Sequence, residues 1–547
     1  MPAGARARFV AARPHLLAAL AAAAAAAIFI PSLHFGFLAF DDPMFLASNT
    51  HWCGLGGEAW RWAWFSHTGG VYQPLAWLSW SLDYALWGFD ARGYHLQNVL
   101  WHALTAGLAL YLARRLLSLA QSSRARDPGW MTEAAAFFSA LVFAVHPLRV
   151  ESVTWVAERR DTMCGAFSLA ALLLYLNARR PGRPPGPLTP TAAFLLLALT
   201  AKAMAVTLPI VMIILDVYPL ARIGPRLEGL DVAVREKWPL FLEAGIFALI
   251  GMSVQDRLHL GWDQHGAVAR MAQSAYALVF YVRKSVWPSG LAPLYELRPP
   301  LHWMQGRFLA SAVAAASGAW ACARWRRARP WLSAAAAAYA VQLLPVSGLF
   351  QFGPQLVADR YSYLPCLPLA FLAGAAFRAG LRRHRLVSIA AAVAIAAALA
   401  AGTVVQQSYW RTSAALWSRV LEVDPGSSMG QLGLGTALLS SSRVSEAQVH
   451  FRAALAAYPD CVSDQDRLAE RFAAGDRSSA ESVRLSHDVE THPVCRLARA
   501  NLGAALAMGG EMREAQKVLR IVAAVSPDDE KSRINLARIE AALRGSR

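Results

Sequence analysis

LLAALAAAAAAAIFIPSLHFGFLAFDDP (residues 16–43) joins an alanine-rich apolar run to two adjacent carboxylates, Asp41 and Asp42. Extended to Leu33, the run approaches the roughly 20 residues that a helix needs to cross a bilayer. Arg6, Arg8 and Arg13 precede it, as they would in a secretory signal. Pro31 and aromatic residues follow where a small-x-small cleavage site should be, so the run reads as an uncleaved first helix. A carboxylate dragged into lipid costs free energy. Asp41 and Asp42 therefore belong either to a solvated loop or to a polar cavity opening at the interface.

The rest of the chain answers to the same solvent. Of its 547 residues 56% are hydrophobic and 16% charged, and the mean hydropathy is +0.32, which excludes an ordinary soluble enzyme of this length. The formal charge of +17 does not point to nucleic acid. Basic residues stand in short runs between apolar segments (Arg114–Arg126, Arg179–Arg183, Arg222–Arg226, Arg324–Arg329, Arg382–Arg385), the pattern of cytoplasmic loops. Apolar segments near 95–113, 133–146, 163–178, 190–201, 204–219, 238–254, 308–323, 331–348, 361–378 and 386–405 follow the first, which makes eleven spans. A cytoplasmic N-terminus puts every basic run inside and the chain beyond residue 405 outside.

Local features refine that topology. Residues 190–201 and 204–219 are short and enclose Lys202, as two linked helices meeting at a buried polar point would. Residues 270–287, flanked by Arg270, Arg283 and Lys284, read as an amphipathic helix on the outer surface. The loop from His34 to about Arg92 carries Trp52, Trp60, Trp62, Trp64, Trp77, Trp80 and Trp87. Indoles favour the interface, so the loop is expected to lie on the bilayer. His146, Glu151, Arg159, Arg160, Asp161, Lys202 and Arg360 all fall at segment ends on the side of Asp41.

Past residue 405 the composition changes, and Pro425, Pro459, Pro493 and Pro527 recur every 34 residues. Between them the tetratricopeptide pattern returns, with Leu434-Gly435, Ala447, Phe451 and Ala454 in one unit and Leu502-Gly503, Ala515 and Leu519 in another. The middle unit is degenerate but in phase through Leu468-Ala469, Phe472 and Leu485. Small residues let paired helices approach, large ones fill the gap, and proline is expected to end each second helix. Three repeats and a capping helix, Asn535 to Leu543, are predicted. The expected architecture is thus all-α: a polytopic membrane domain over 1–405 and a repeat α-solenoid over 406–547. The six cysteines lack metal-ligand spacing. Cys461 and Cys495 occupy equivalent positions in successive repeats, about 9–10 Å apart by helix-packing distances, beyond the reach of a cystine. Free thiols are expected there.

With these pieces placed, FDDPMFLASN (40–49), YQPLAWLSWSLDYALWGFDARGYHLQNVLWH (72–102), HPLRVESVTWVAERRD (146–161), KAMAVTLPIVMIILDVYPL (202–220) and ADRYSYLP (358–365) resemble a known family. The likeness is to bacterial relatives of the transmembrane and tetratricopeptide-repeat-containing O-mannosyltransferases, within the type C glycosyltransferase superfamily. It implies inverting transfer of a sugar, mannose first, from a polyprenyl-phosphate donor to a protein hydroxyl outside the cytoplasmic membrane. It also implies an acidic general base in the first external loop, the place of Asp41 or Asp42, with Asp41 taken as base and Asp42 as support. A base must reach the acceptor hydroxyl, and a carboxylate steadies an oxocarbenium-like carbon. The leaving phosphate calls for cations, for which Arg159, Arg160, Lys202 and Arg360 stand ready with Tyr361 as hydroxyl donor. The plainer reading of such basic residues is snorkelling toward headgroups. His146, Glu151 and Asp161 are assigned to the acceptor or sugar subsite. A divalent metal on Asp41 and Asp42 finds no third ligand at suitable spacing, so no metal site is assigned, and the lipid-linked sugar is the expected partner besides the acceptor.

Two other classes compete. A membrane-anchored repeat scaffold needs one span, not eleven. A transporter should show duplicated halves and mid-span charges, whereas only Asp216, at an inner end, comes close. The same chemistry on a lipid or polysaccharide acceptor stays open.

Overall fold

The structure, a computed structural model, describes residues 3–120, 128–255, 265–298, 301–351, 353–490 and 492–545. The side chains of Arg6 and Arg8, and the basic run from residue 121 through Arg126, lie outside that description. The chain divides into two compact units, Met1–Leu291 with Leu297–Arg411, and Ala292–Glu296 with Thr412–Arg547.

In the first unit each expected span overlaps a helix. The alanine-rich helix Ala3–Phe29 owes its place to its small side chains. Ala18 and Ala21 are buried with Ala113, Ala136 and Ala140, and Ala25 with Ala103, Ala106 and Ala144, so backbones approach closely, as dispersion packing in lipid requires. Among the described residues three helices are long and apolar enough to cross a membrane, Ala12–His34, Val156–Ala178 and Arg385–Ser408, or five if two bent pairs each make one span. That is fewer than the eleven expected. Thr189–Ala201 and Ala203–Val217 are short. The helix Ala91–Leu119 is 29 residues long but turns polar groups inward: Asn98 donates to the carbonyls of Val153 and Trp155, and His102 bonds Tyr363 Oη and the Ala144 carbonyl. Polar side chains satisfied inside a bundle lower the hydropathy of a helix without exposing it to water.

The tryptophan-rich loop departs from expectation. Trp52, Trp77 and Trp80 are fully buried; Trp77 and Trp80 pack on Phe45, whose ring lies 5.7 Å from Trp77 and 6.3 Å from Trp80, and Trp52 packs edge-on against Tyr84, Phe89 and Tyr94. Only Trp60, Trp64 and Trp87 stay exposed. The loop is a folded layer with one aromatic edge outward. The helix Ala267–Val286 is amphipathic, but Arg270, Gln273 and Lys284 are buried in protein while Val268, Met271 and Val286 face outward. At the other ends of the spans, Asp216 is buried and accepts from Lys237 Nζ at 2.5 Å, Tyr175 Oη at 2.5 Å and Arg222 Nη1 at 3.0 Å. Its charge is matched, as a buried carboxylate requires.

The second unit contains the helices Ser413–Val423, Ser428–Ser440, Val444–Ala456, Pro459–Ala473, Ala480–Glu490, Pro493–Met508, Met512–Val525 and Glu530–Gly545. Close approach explains the repeated glycines. A Cβ on Gly435 would lie 2.7 Å from the Phe451 ring, and one on Gly503 2.7 Å from the Leu519 side chain. Pro459 and Pro493 do not end a helix; each opens the next at its first turn, where the missing N–H would have had no helical partner. Cys461 and Cys495 form a disulfide across a Cα–Cα distance of 6.6 Å, which corrects the expectation of free thiols. The spacing for regular stacked repeats does not apply to these two helix starts. Arg499 draws them together by donating to the Val462 carbonyl at 3.2 Å and to Gln465 Oε1 at 3.0 Å.

Candidate active site

The chain turns sharply at Phe40–Pro43, and the two aspartates there take different duties. Asp42 is 1% exposed. Its Oδ2 accepts from the Leu38 amide at 2.8 Å and its Oδ1 from the Ala157 amide at 3.2 Å, so it ties the loop to the segment entering the helix Arg159–Ala178. Burial pushes its carboxyl up to about 7, against the pull of those two amides. Asp41 is half-buried; its carbonyl accepts from the Phe45 amide, but its carboxylate has no protein hydrogen-bond partner among the described residues. Burial raises its carboxyl above the usual range, while Arg160 and then Arg360 pull it down.

Those two arginines belong to a buried ion cluster. Glu158, fully buried, is its hub: Oε1 accepts from Arg160 Nη2 at 2.5 Å, Oε2 from Lys202 Nζ at 2.9 Å, and Arg360 Nε lies 3.3 Å from Oε1. Lys202 also pairs with Asp161 at 2.6 Å, and Arg360 with Glu151 at 2.5 Å. Ser152 donates to Asp161. Lys202 is presented by the break between the helix Thr189–Ala201 and the 3-10 turn Ala203–Thr207, as the two short apolar segments implied. Arg360 lies 5.6 Å from the Trp155 ring and 5.0 Å from that of Tyr361.

Of the residues singled out by sequence, the fold brings together Glu151, Arg160, Asp161, Lys202 and Arg360, with Asp41 in their field. Arg159 does not join them. Neighbours in a helix point about 100° apart, and Arg159 turns to Asp83, with which it pairs, to Asn98 Oδ1 at 2.8 Å and to the Tyr94 carbonyl at 2.8 Å. With no exposure at all, it cannot meet a phosphate. His146 is also elsewhere: its Nδ1 accepts from the Leu148 amide and its Nε2 bonds the Ser285 carbonyl. Tyr361 Oη accepts from Gln355 Nε2 at 2.6 Å. Sequence reasoning missed Glu158 and Gln73. Glu158 was visible as the first charge of the run Glu158-Arg159-Arg160-Asp161, three residues before Asp161 and so on its face; for Gln73 only its place before a helix start was legible. No three His, Cys, Asp or Glu side chains among the described residues are arranged to hold a metal ion.

Comparison with known proteins now bears on this geometry. No family model matches the chain. It is 35% identical over 106 residues to mouse Protein O-mannosyl-transferase TMTC2, covering 19% of this chain and 11% of that protein. It is 36% identical over 140 residues to Drosophila melanogaster Protein O-mannosyl-transferase Tmtc1, covering 25% and 14%, and 32% identical over 116 residues to human TMTC4, covering 21% and 16%. Over those stretches the chain is similar to these O-mannosyltransferases. It spans between 11% and 16% of the length of the three. The crystal structure of ArnT from Cupriavidus metallidurans bound to undecaprenyl phosphate aligns over 91% of this chain and 79% of its own, at 16% identity and a TM-score of 0.35. At that score the likeness carries no argument.

Proposed function

We propose that this relative of the O-mannosyltransferases is a membrane glycosyltransferase, moving a sugar, mannose first, from a polyprenyl-phosphate donor to a protein hydroxyl on the outer face of the membrane. The observation that carries the reading is a carboxylate, Asp41, left without a protein partner beside a buried cluster of three cations. In the step proposed, Asp41 takes the proton of the acceptor hydroxyl as its oxygen attacks the anomeric carbon from the face opposite the phosphate. The bond from that carbon to the phosphate oxygen breaks, its electron pair leaves with the polyprenyl phosphate, and the sugar inverts. Arg160, Lys202 and Arg360 would hold the phosphate, since cations replace a general acid where the leaving group is already a stable anion.

The helices of Thr412–Arg547 are read as a tetratricopeptide-repeat array that receives the protein acceptor, outside the cytoplasmic membrane. The Cys461–Cys495 disulfide supports that side, because disulfides persist in oxidising compartments. A scaffold gives no reason for charges this deep, and Asp216, fully paired, supplies no carrier site for a transporter.

The test is incubation of the purified full chain with a panel of polyprenyl-phosphate sugars and cell-envelope proteins, followed by mass spectrometry of the proteins. A mass increment of one sugar from at least one donor is expected; no transfer from any donor refutes the reading. A pH dependence follows from the environment of Asp41. Its raised carboxyl must be ionised to act as base, so kcat/KM should rise with pH through an apparent pKa above the ordinary value of about 4. An activity that falls over that range, or is flat down to pH 4, contradicts the assignment.

A further inference from the structure

Beside the cation cluster lies a buried amide whose bonding is half complete. Gln73 precedes the helix Pro74–Trp87 and is 1% exposed. Its Oε1 accepts from Arg160 Nη1 at 3.1 Å. That bond also settles which end of the amide is oxygen, because a guanidinium only donates. The other end, Nε2, is buried and has no partner. Buried amide N–H groups are nearly always paired in folded proteins. Acceptors close by are already used, since Glu158 takes Arg160 Nε at 3.2 Å and Nη2 at 2.5 Å. Phe45 packs the Arg160 guanidinium from a further side, 5.6 Å from its ring centroid. The amide nitrogen therefore sits next to a guanidinium that also feels the charges of Asp161, Arg360 and Asp41.

Resting on the function proposed above, we infer that Gln73 is a donor-binding residue: Nε2 donates to an oxygen of the sugar phosphate lying against Arg160, while Oε1 fixes the plane of that guanidinium. The ligand chemistry is an accepting oxygen, which either the phosphate or a sugar hydroxyl supplies. One side chain thus both touches the donor and aims the cation that holds it. This explains why a neutral amide, not a second carboxylate, stands there: a carboxylate would hold Arg160 as well but would repel the phosphate.

The full chain, purified in detergent, is tested as Gln73→Glu and Gln73→Met against undecaprenyl phosphate and undecaprenyl-phosphate mannose, by binding and by steady-state transfer. Gln73→Glu keeps the acceptor for Arg160, removes the N–H donors and adds a charge that repels phosphate, whereas Gln73→Met adds no charge. Gln73→Met keeps the length and removes both functions, and it serves if the first variant does not accumulate. A loss of one hydrogen bond to a charged group predicts a roughly ten- to hundredfold weaker Kd and higher KM, with kcat reduced less. Weakening with both lipids assigns the contact to phosphate; weakening with the mannose-bearing lipid alone assigns it to the sugar. Unchanged Kd and KM in both variants, with wild type binding normally, overturns the inference and leaves the proposed function standing. A fall in kcat with KM unchanged also overturns it, since Gln73 would then make no contact that the bound donor depends on. Wild type binding neither lipid overturns both.

Discussion

Asp41→Asn is expected to lower turnover by about 10²–10⁴-fold, the usual cost of removing a general base, while folding and donor affinity stay near normal. The expectation follows from what Asp41 does not do. Its carboxylate holds no amide, hydroxyl or guanidinium at bonding distance among the described residues, so asparagine, nearly the same shape, breaks nothing. Asp42→Asn should behave differently. Each of its oxygens accepts a backbone amide, from Leu38 and from Ala157, and an amide side chain offers one acceptor where two are needed. The misplaced NH2 group would face a backbone N–H, costing about 1–3 kcal/mol of stability and loosening the loop. Asp42→Asn should therefore reduce the thermal midpoint and expression, with a smaller loss of turnover per folded molecule. Steady-state transfer together with thermal unfolding of both variants separates the roles. Near-normal turnover in both would place the base elsewhere, with Glu151 and Asp161 next in line.

Much of the frame was legible in the sequence because lipid allows few solutions. Apolar runs placed the helices, and the deep charges Lys202 and Arg360 had to be paired or functional. The choice between Arg159 and Arg160 was not legible. It depends on helical phase after the break at Trp155, where the chain leaves Val150–Thr154, passes a 3-10 turn at Val156–Glu158 and enters Arg159–Ala178. Phase through a break comes from tertiary packing, not from local pattern. The tryptophans misled for a related reason: composition says that indoles suit the interface, but only the third dimension says that Trp77 and Trp80 pack on Phe45 and Trp52 on Tyr84, Phe89 and Tyr94. The disulfide was missed because a regular repeat spacing was carried into the one repeat whose pattern is degenerate.

Glu158 carries the second large effect, with a sign that can be worked out from charge alone. Arg160, Lys202 and Arg360 face Glu151, Glu158 and Asp161, so the positive and negative charges of the cluster cancel. Glu158→Gln leaves one uncompensated cation among groups that are at most 14% exposed. Removing one partner of a buried ion pair typically costs about 3–5 kcal/mol, and here one carboxylate serves three cations, so the empty protein should lose a large part of its stability. A phosphate brings the missing negative charge with it. Undecaprenyl phosphate should consequently raise the thermal midpoint of Glu158→Gln by more than it raises that of wild type, since a ligand stabilises in proportion to its affinity for the folded state. Lys202→Met is predicted to do the reverse: Glu158 and Asp161 are left short of a cation, and the lipid should stabilise this variant little or not at all. Equal stabilisation of the two variants by the lipid would mean that no phosphate reaches these side chains. The cluster would then be an ion network holding the loop segments together, and the donor would have to be sought at another surface of the bundle.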